Sequence, residues 1–165
     1  RRPHKREPGP PARLKSDYLL YRLKFEECGS DPIEDRPLNL IEQLNQTFTY
    51  LASLDAAAEL LVRHPDKSPY HLNLGTASGF DIESGDGSFI AQVFAAVRLT
   101  NNNRLKKDTA SANDSGAEHR YVFYACLTEG AGERIDPDYP NVRIISLGTG
   151  AREFGTPLQL TGDHG

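Results

Sequence analysis

Apolar positions along the chain change period twice, and those changes outline a fold. Residues 17–25, DYLLYRLKF, are apolar-rich and fit either a helix or a strand. GSDPIEDRP (29–37), with two prolines and several turn formers, is a loop. Leu40, Leu44, Phe48, Leu51, Leu54, Ala58 and Leu61 then recur at spacings of three and four, one apolar stripe over six helical turns. Asn39 with Glu42 three residues on reads as a capping box, and His64-Pro65 closes the helix because a residue before proline avoids helical geometry. Beyond this point the period drops to two. Tyr70, Leu72 and Leu74 alternate with His71 and Asn73, and Phe80 and Ile82 alternate with Asp81 and Glu83.

SFIAQVFAAV (88–97) is apolar on both faces, the pattern of a central strand. RLKKDTASA starts a short helix, RYVFYACL (120–127) and VRIISLG (142–148) read as strands, and EGAGERIDPDYPN between them reads as a long turn region. The residues after 148 show no clear period. The order predicts an α/β fold, a mixed central β-sheet flanked by helices.

Charge is uneven along the chain. The formal net charge is −4, yet residues 1–15 hold six basic residues and one acid, interleaved with four prolines. This predicts a basic, proline-rich disordered arm over 1–16 and a single domain over 17–165. Such an arm reads as a solvated terminus, or as a segment to lie along phosphates or an acidic partner. The remaining body is acidic, unlike a dedicated duplex-binding domain. No apolar run reaches the roughly 18 residues of a membrane helix, and the basic start has no apolar stretch behind it, so the expectation is a cytoplasmic protein. Two distant cysteines exclude a disulfide scaffold; Cys126 reads as a buried small hydrophobe and Cys28 as a loop thiol. The five histidines lack zinc spacing, although His71 can point away from the apolar face of its strand. The glycine-rich turns 75–79 and 148–150 match neither a Walker loop nor GxGxxG, and Ser78 lacks the GxSxG elbow.

One constellation carries chemistry. If Asp86-Gly87 forms a two-residue hairpin turn, Gly85 pairs with Ser88 and Asp81 falls opposite Gln92, with Glu83 on the same face opposite Ile90. Two carboxylates and an amide oxygen suit a hard cation such as magnesium. The alternative reading is the solvated face of an edge strand. The only basic cluster in the body, Arg98, Arg104, Lys106 and Lys107 around Asn101–Asn103, suits phosphates and base edges, or a solvated helix start.

The order helix–strand–strand–strand–helix–strand, with Asp81 on the second strand and a long apolar third strand, resembles the PD-(D/E)XK, restriction-endonuclease-like family. That resemblance covers about residues 38–148. It implies a nucleic-acid-cutting site in which Asp81, with Glu83, binds Mg2+ or Mn2+ and the attacking water is activated for phosphodiester hydrolysis. The family's Glu-any-Lys triplet stands here as Gln92-Val93-Phe94. Gln92 keeps an oxygen ligand without its charge, and Phe94 cannot replace lysine. Some members take the lysine from a neighbouring helix, a role for Lys106 or Lys107, while Arg98, Asn102, Asn103 and Arg104 would contact nucleic acid. Two readings follow: a deoxyribonuclease with weakened or lost cleavage, or a non-catalytic module for protein or nucleic acid on the same fold. A homodimer would follow from the resemblance alone.

Overall fold

A computed structural model describes residues 12–75, 78–99, 103–126 and 128–148. The chain groups into two compact units that divide between Phe48 and Thr49. Most of the proline-rich arm lies outside the described residues. Its end opens a helix, α1 (Ala12–Phe25), so the ambiguous stretch from Asp17 is helical. Gly29–Ser30 (β1) and Pro37–Leu38 (β2) pair antiparallel around a turn fastened by buried Asp31, whose Oδ1 accepts the N–H groups of Ile33 and Glu34.

The second helix, α2 (Leu40–Arg63), begins with the expected capping box. Asn39 Oδ1 accepts the Glu42 N–H at 2.9 Å, and Glu42 Oε2 accepts the Asn39 N–H at 3.4 Å. It ends before Pro65, which opens a short 3-10 turn.

Beyond α2 the strands are β3 (Tyr70–Leu72), β4 (Ile82–Ser84), β5 (Phe89–Ala96), β6 (His119–Cys126), β7 (Ala131–Ile135) and β8 (Val142–Leu147). They form one mixed sheet in the order β3-β4-β5-β6-β8-β7. The first three make an antiparallel meander, and α3 (Arg104–Asn113) crosses over to bring β6 parallel to β5. β8 is parallel to β6, and β7 returns antiparallel along the outer edge of β8. The stretch read as a long turn thus contains a strand. All five residues of β7 are exposed, so no apolar alternation announces it. Its backbone ladder to β8 and the ion pairs of Glu133 with Arg63 and Arg143 hold it in place.

Side-chain alternation gives the sheet two buried faces. Phe89, Ala91, Val93, Tyr121, Phe123 and Ile145 pack under Ala52, Ala56, Ala57 and Leu60 of α2. Ile90, Phe94, Val122, Tyr124, Val142 and Ile144 pack under Ala112 of α3. β5 is buried on both faces, as its sequence requires of a central strand. Cys126 is buried and Cys28 exposed, as expected. No helix among the described residues is long and apolar enough to cross a membrane.

The apolar stripe of α2 and its buried face lie on different sides of the helix. The leucine stripe of α2 does not face the sheet. Leu44, Phe48, Leu51, Leu54 and Leu61 are all exposed, and the buried positions are Tyr50, Ala52, Ser53, Ala56, Ala57 and Leu60. Small side chains let a helix backbone approach a sheet closely, which favours the alanine face for packing. The larger apolar face is left outward.

Candidate functional site

The hairpin between β4 and β5 sets the site. Gly87 adopts φ +70°, the left-handed geometry that glycine supplies without cost. Asp86 braces the turn, accepting from Ser84 Oγ, Ser88 Oγ and the Ser88 N–H, and these bonds hold its carboxyl well below the usual carboxylate range. Ile82 lies opposite Ala91 and Glu83 opposite Ile90. Carried one residue further, this register places Asp81 opposite Gln92, as the two-residue turn predicts. Asp81 Oδ2 also accepts the Val93 N–H at 2.6 Å, tying the carboxylate to the middle of β5.

Two residues of α3 complete the surroundings of Asp81. Burial pushes its carboxyl above the ordinary carboxylate range; the Val93 N–H and the charge of Arg104 oppose that rise, and Asp108 adds to it. Asp108 is itself raised by burial, with Arg104 and Lys107 acting the other way. The Arg104 Nε donates to Asp108 Oδ2 at 3.1 Å. The Arg104 guanidinium also stands 5.5 Å above the centre of the Phe94 ring, a cation–π contact. Asp108 was not expected here from the sequence. The i,i+4 Arg104–Asp108 pair was its available signal, but such pairs are common on solvated helices.

The other candidates are arranged differently. Glu83 shares the Asp81 face, but its carboxylate accepts the Phe80 N–H at 3.3 Å and stands opposite His71. It lines a shallow cavity of about 370 Å³ with His71, Leu72, Asn73, Ser78, Gly79 and Phe80. Lys106 and Lys107 are exposed on α3, and Arg98 is exposed before it. Asn103 takes φ +52° at the start of α3, and Asn102 lies outside the described residues. Among the described residues, no group of three His, Cys, Asp or Glu side chains is placed to hold a metal ion. Two further oxygen donors belong to the surroundings of Asp81: Gln92, across the ladder when the register is carried one residue on, and Asp108 of α3, whose charge acts on it. All are hard donors. Carboxylate and amide oxygens are the donor type that magnesium takes together with several waters.

The burial of Asp81 has a measurable consequence. A carboxylate whose folded pKa is raised makes folding less favourable as pH climbs above the unfolded value near 4, and the penalty is complete above the folded pKa. Asn at this position still offers an acceptor to the Val93 N–H. Asp81→Asn is therefore expected to raise Tm at pH 8, with a gain that shrinks toward zero as the pH falls to about 4. Thermal melts of both proteins across this range check it; a gain independent of pH would show that charge is not its source.

Searches of protein-family models, of curated proteins and of solved structures each find no match to this chain.

Proposed function

We propose that this chain is a restriction-endonuclease-like domain that engages nucleic acid at Asp81, with metal-dependent phosphodiester hydrolysis as its reaction, weakened by Gln92 and Phe94. One observation carries the reading. The register that sets Asp81 against Gln92 is combined with a helical crossover that brings the cation of Arg104 over the ring of Phe94. Where the resemblance expects lysine from the strand, a guanidinium from α3 supplies positive charge beside that position. Lys106 and Lys107, the sequence candidates for this role, remain on the outer surface of the same helix and suit phosphates further along a strand.

Asp81, Gln92 and Asp108 would hold the divalent ion. When bound, that ion would neutralise phosphate charge and lower the pKa of a water. The chain's own residues do the rest. The Val93 N–H orients the Asp81 carboxylate, and Arg104, fixed between Asp108 and Phe94, presents a planar donor set to a phosphate. Burial around Asp81 strengthens these interactions relative to open solvent. Replacing the Glu of the family pattern by Gln92 removes one negative charge from the ligand set and weakens cation affinity.

The test is cleavage of supercoiled plasmid with Mg2+ or Mn2+. Slow nicking is expected, rising roughly 10- to 100-fold with Gln92→Glu and lost with Asp81→Asn. No cleavage by either the native chain or Gln92→Glu, with no metal-dependent shift of DNA mobility, overturns the reading. A second reading, a non-catalytic interaction module, is favoured by the absence of a three-residue ligand group among the described residues. Binding that is retained without cleavage in the Gln92→Glu protein would select it.

A further inference from the structure

At the end of the sheet where β6 begins, its two ladders stop at different points. β6 pairs with β5 from His119 onward, but with β8 only from Arg120, which lies opposite Val142. The chain around His119 and Asn141 is left without a ladder between them, and a cavity of about 240 Å³ opens there. One wall is held firmly. The His119 ring lies 4.6 Å from that of His64, which also stacks on Phe89, and His64 Nε2 is 2.7 Å from the Tyr121 hydroxyl. Positive charge is in surplus beside this wall. Arg63 and Arg143 share one carboxylate, that of Glu133, at 2.8 Å and 3.0 Å, and the Arg143 side chain stays 56% exposed at the cavity. Arg120 lines the same cavity, and its Nε is buried with no hydrogen-bond partner among the described residues. A desolvated guanidinium without an acceptor is costly, and an anion accepting from the same group offsets that cost. Asn141 adds an amide donor.

The geometry points to this cavity as a binding site for a small phosphomonoester, its phosphate taken by Arg120, Arg143 and Asn141. Guanidinium forks match phosphate oxygens in pairs, and two of them with an amide and an imidazole offer donors for all three charged oxygens. Ile135 and Pro140 give the cavity an apolar side against which the organic part of the ester can lie. The volume falls below the roughly 300 Å³ at which pockets for drug-sized ligands begin, so the ester is small. One lining group opposes it. Glu118, 74% exposed, has its Oε1 3.8 Å from His119 Nε2 and repels an anion beside that ring. His119, Tyr121 and Arg143 alternate onto the face of the sheet opposite to Val122, the neighbour of Gln92, whereas Asp81 shares the face of Gln92. The two sites are therefore separate, and neither reading depends on the other.

Amide chemical-shift titration of the isotope-labelled full chain with phenyl phosphate tests it, with inorganic phosphate as the comparison. Saturable shifts at residues 118–121 and 140–143 are expected, with a Kd of about 0.1–1 mM for phenyl phosphate. Inorganic phosphate is expected to bind about 5-fold more weakly, because it has no part to set against Ile135 and Pro140. Arg143→Gln is expected to weaken phenyl phosphate about 10-fold or more, and Glu118→Gln to strengthen it about 2- to 5-fold. Both side chains are exposed, so far-UV circular dichroism of the two variants is expected to match the native chain. Absence of saturable shifts up to about 10 mM overturns the inference. So does equal affinity for the two phosphates, an affinity untouched by Arg143→Gln, or shifts confined to other parts of the sheet. Displacement of phenyl phosphate by a short DNA duplex would also overturn it, by making this end of the sheet part of a nucleic-acid surface.

Discussion

Phe123→Ala is expected to destabilise the protein by about 3–5 kcal/mol, because it empties the centre of the sheet. Phe123 is fully buried in the middle of β6, flanked in register by Val93 of β5 and Ile145 of β8. Its ring stacks on Tyr121 at 5.8 Å between centroids. Neighbours held by ladders on both sides cannot collapse into the space, so the loss approaches the full transfer and cavity cost. A domain of ordinary stability has only about 5–15 kcal/mol to lose. Chemical denaturation of the variant checks this; a loss below about 1 kcal/mol would mean the strand relaxes far more than its two-sided pairing allows.

The second large effect runs in the opposite steric direction. Ala56 is fully buried where α2 lies on the sheet, among Ala52, Ala57 and Leu60. Ala56→Leu is expected to cost about 1–3 kcal/mol or more, because the added carbons must push the helix off the strands. Leu54→Ala, on the opposite side of the same helix, is expected to change stability by under about 0.5 kcal/mol. Comparing the two melts identifies the packing face directly. Equal losses would contradict the orientation of α2.

That orientation marks the boundary of what the sequence could tell. A period near 3.6 announced a helix, and the capping residues Asn39 and Glu42 and the stop at Pro65 were readable because each acts over a few residues. The same period could not say which apolar face meets the sheet. The leucine stripe has the greater hydrophobic area, but Ala52, Ala56 and Ala57 give the closer approach. The hairpin at Asp86-Gly87 was legible for a similar local reason, and with it the opposition of Asp81 and Gln92. Arg104 and Asp108 were not legible as neighbours of Asp81, since that proximity depends on how far α3 slides along the sheet. β7 was missed because a strand whose side chains all face water has no apolar period to detect.

The two borders of the sheet bear on how copies can meet. β7 carries Glu133 and Arg134 on an exposed rim, and Glu133 is committed to two arginines. β3 at the other rim is three residues long, with Pro69 immediately before it. Charge on one side, and brevity with a missing amide hydrogen on the other, make both rims poor templates for a further strand. A crowded solution of this protein should therefore resist fibril growth, even with so much apolar surface on display.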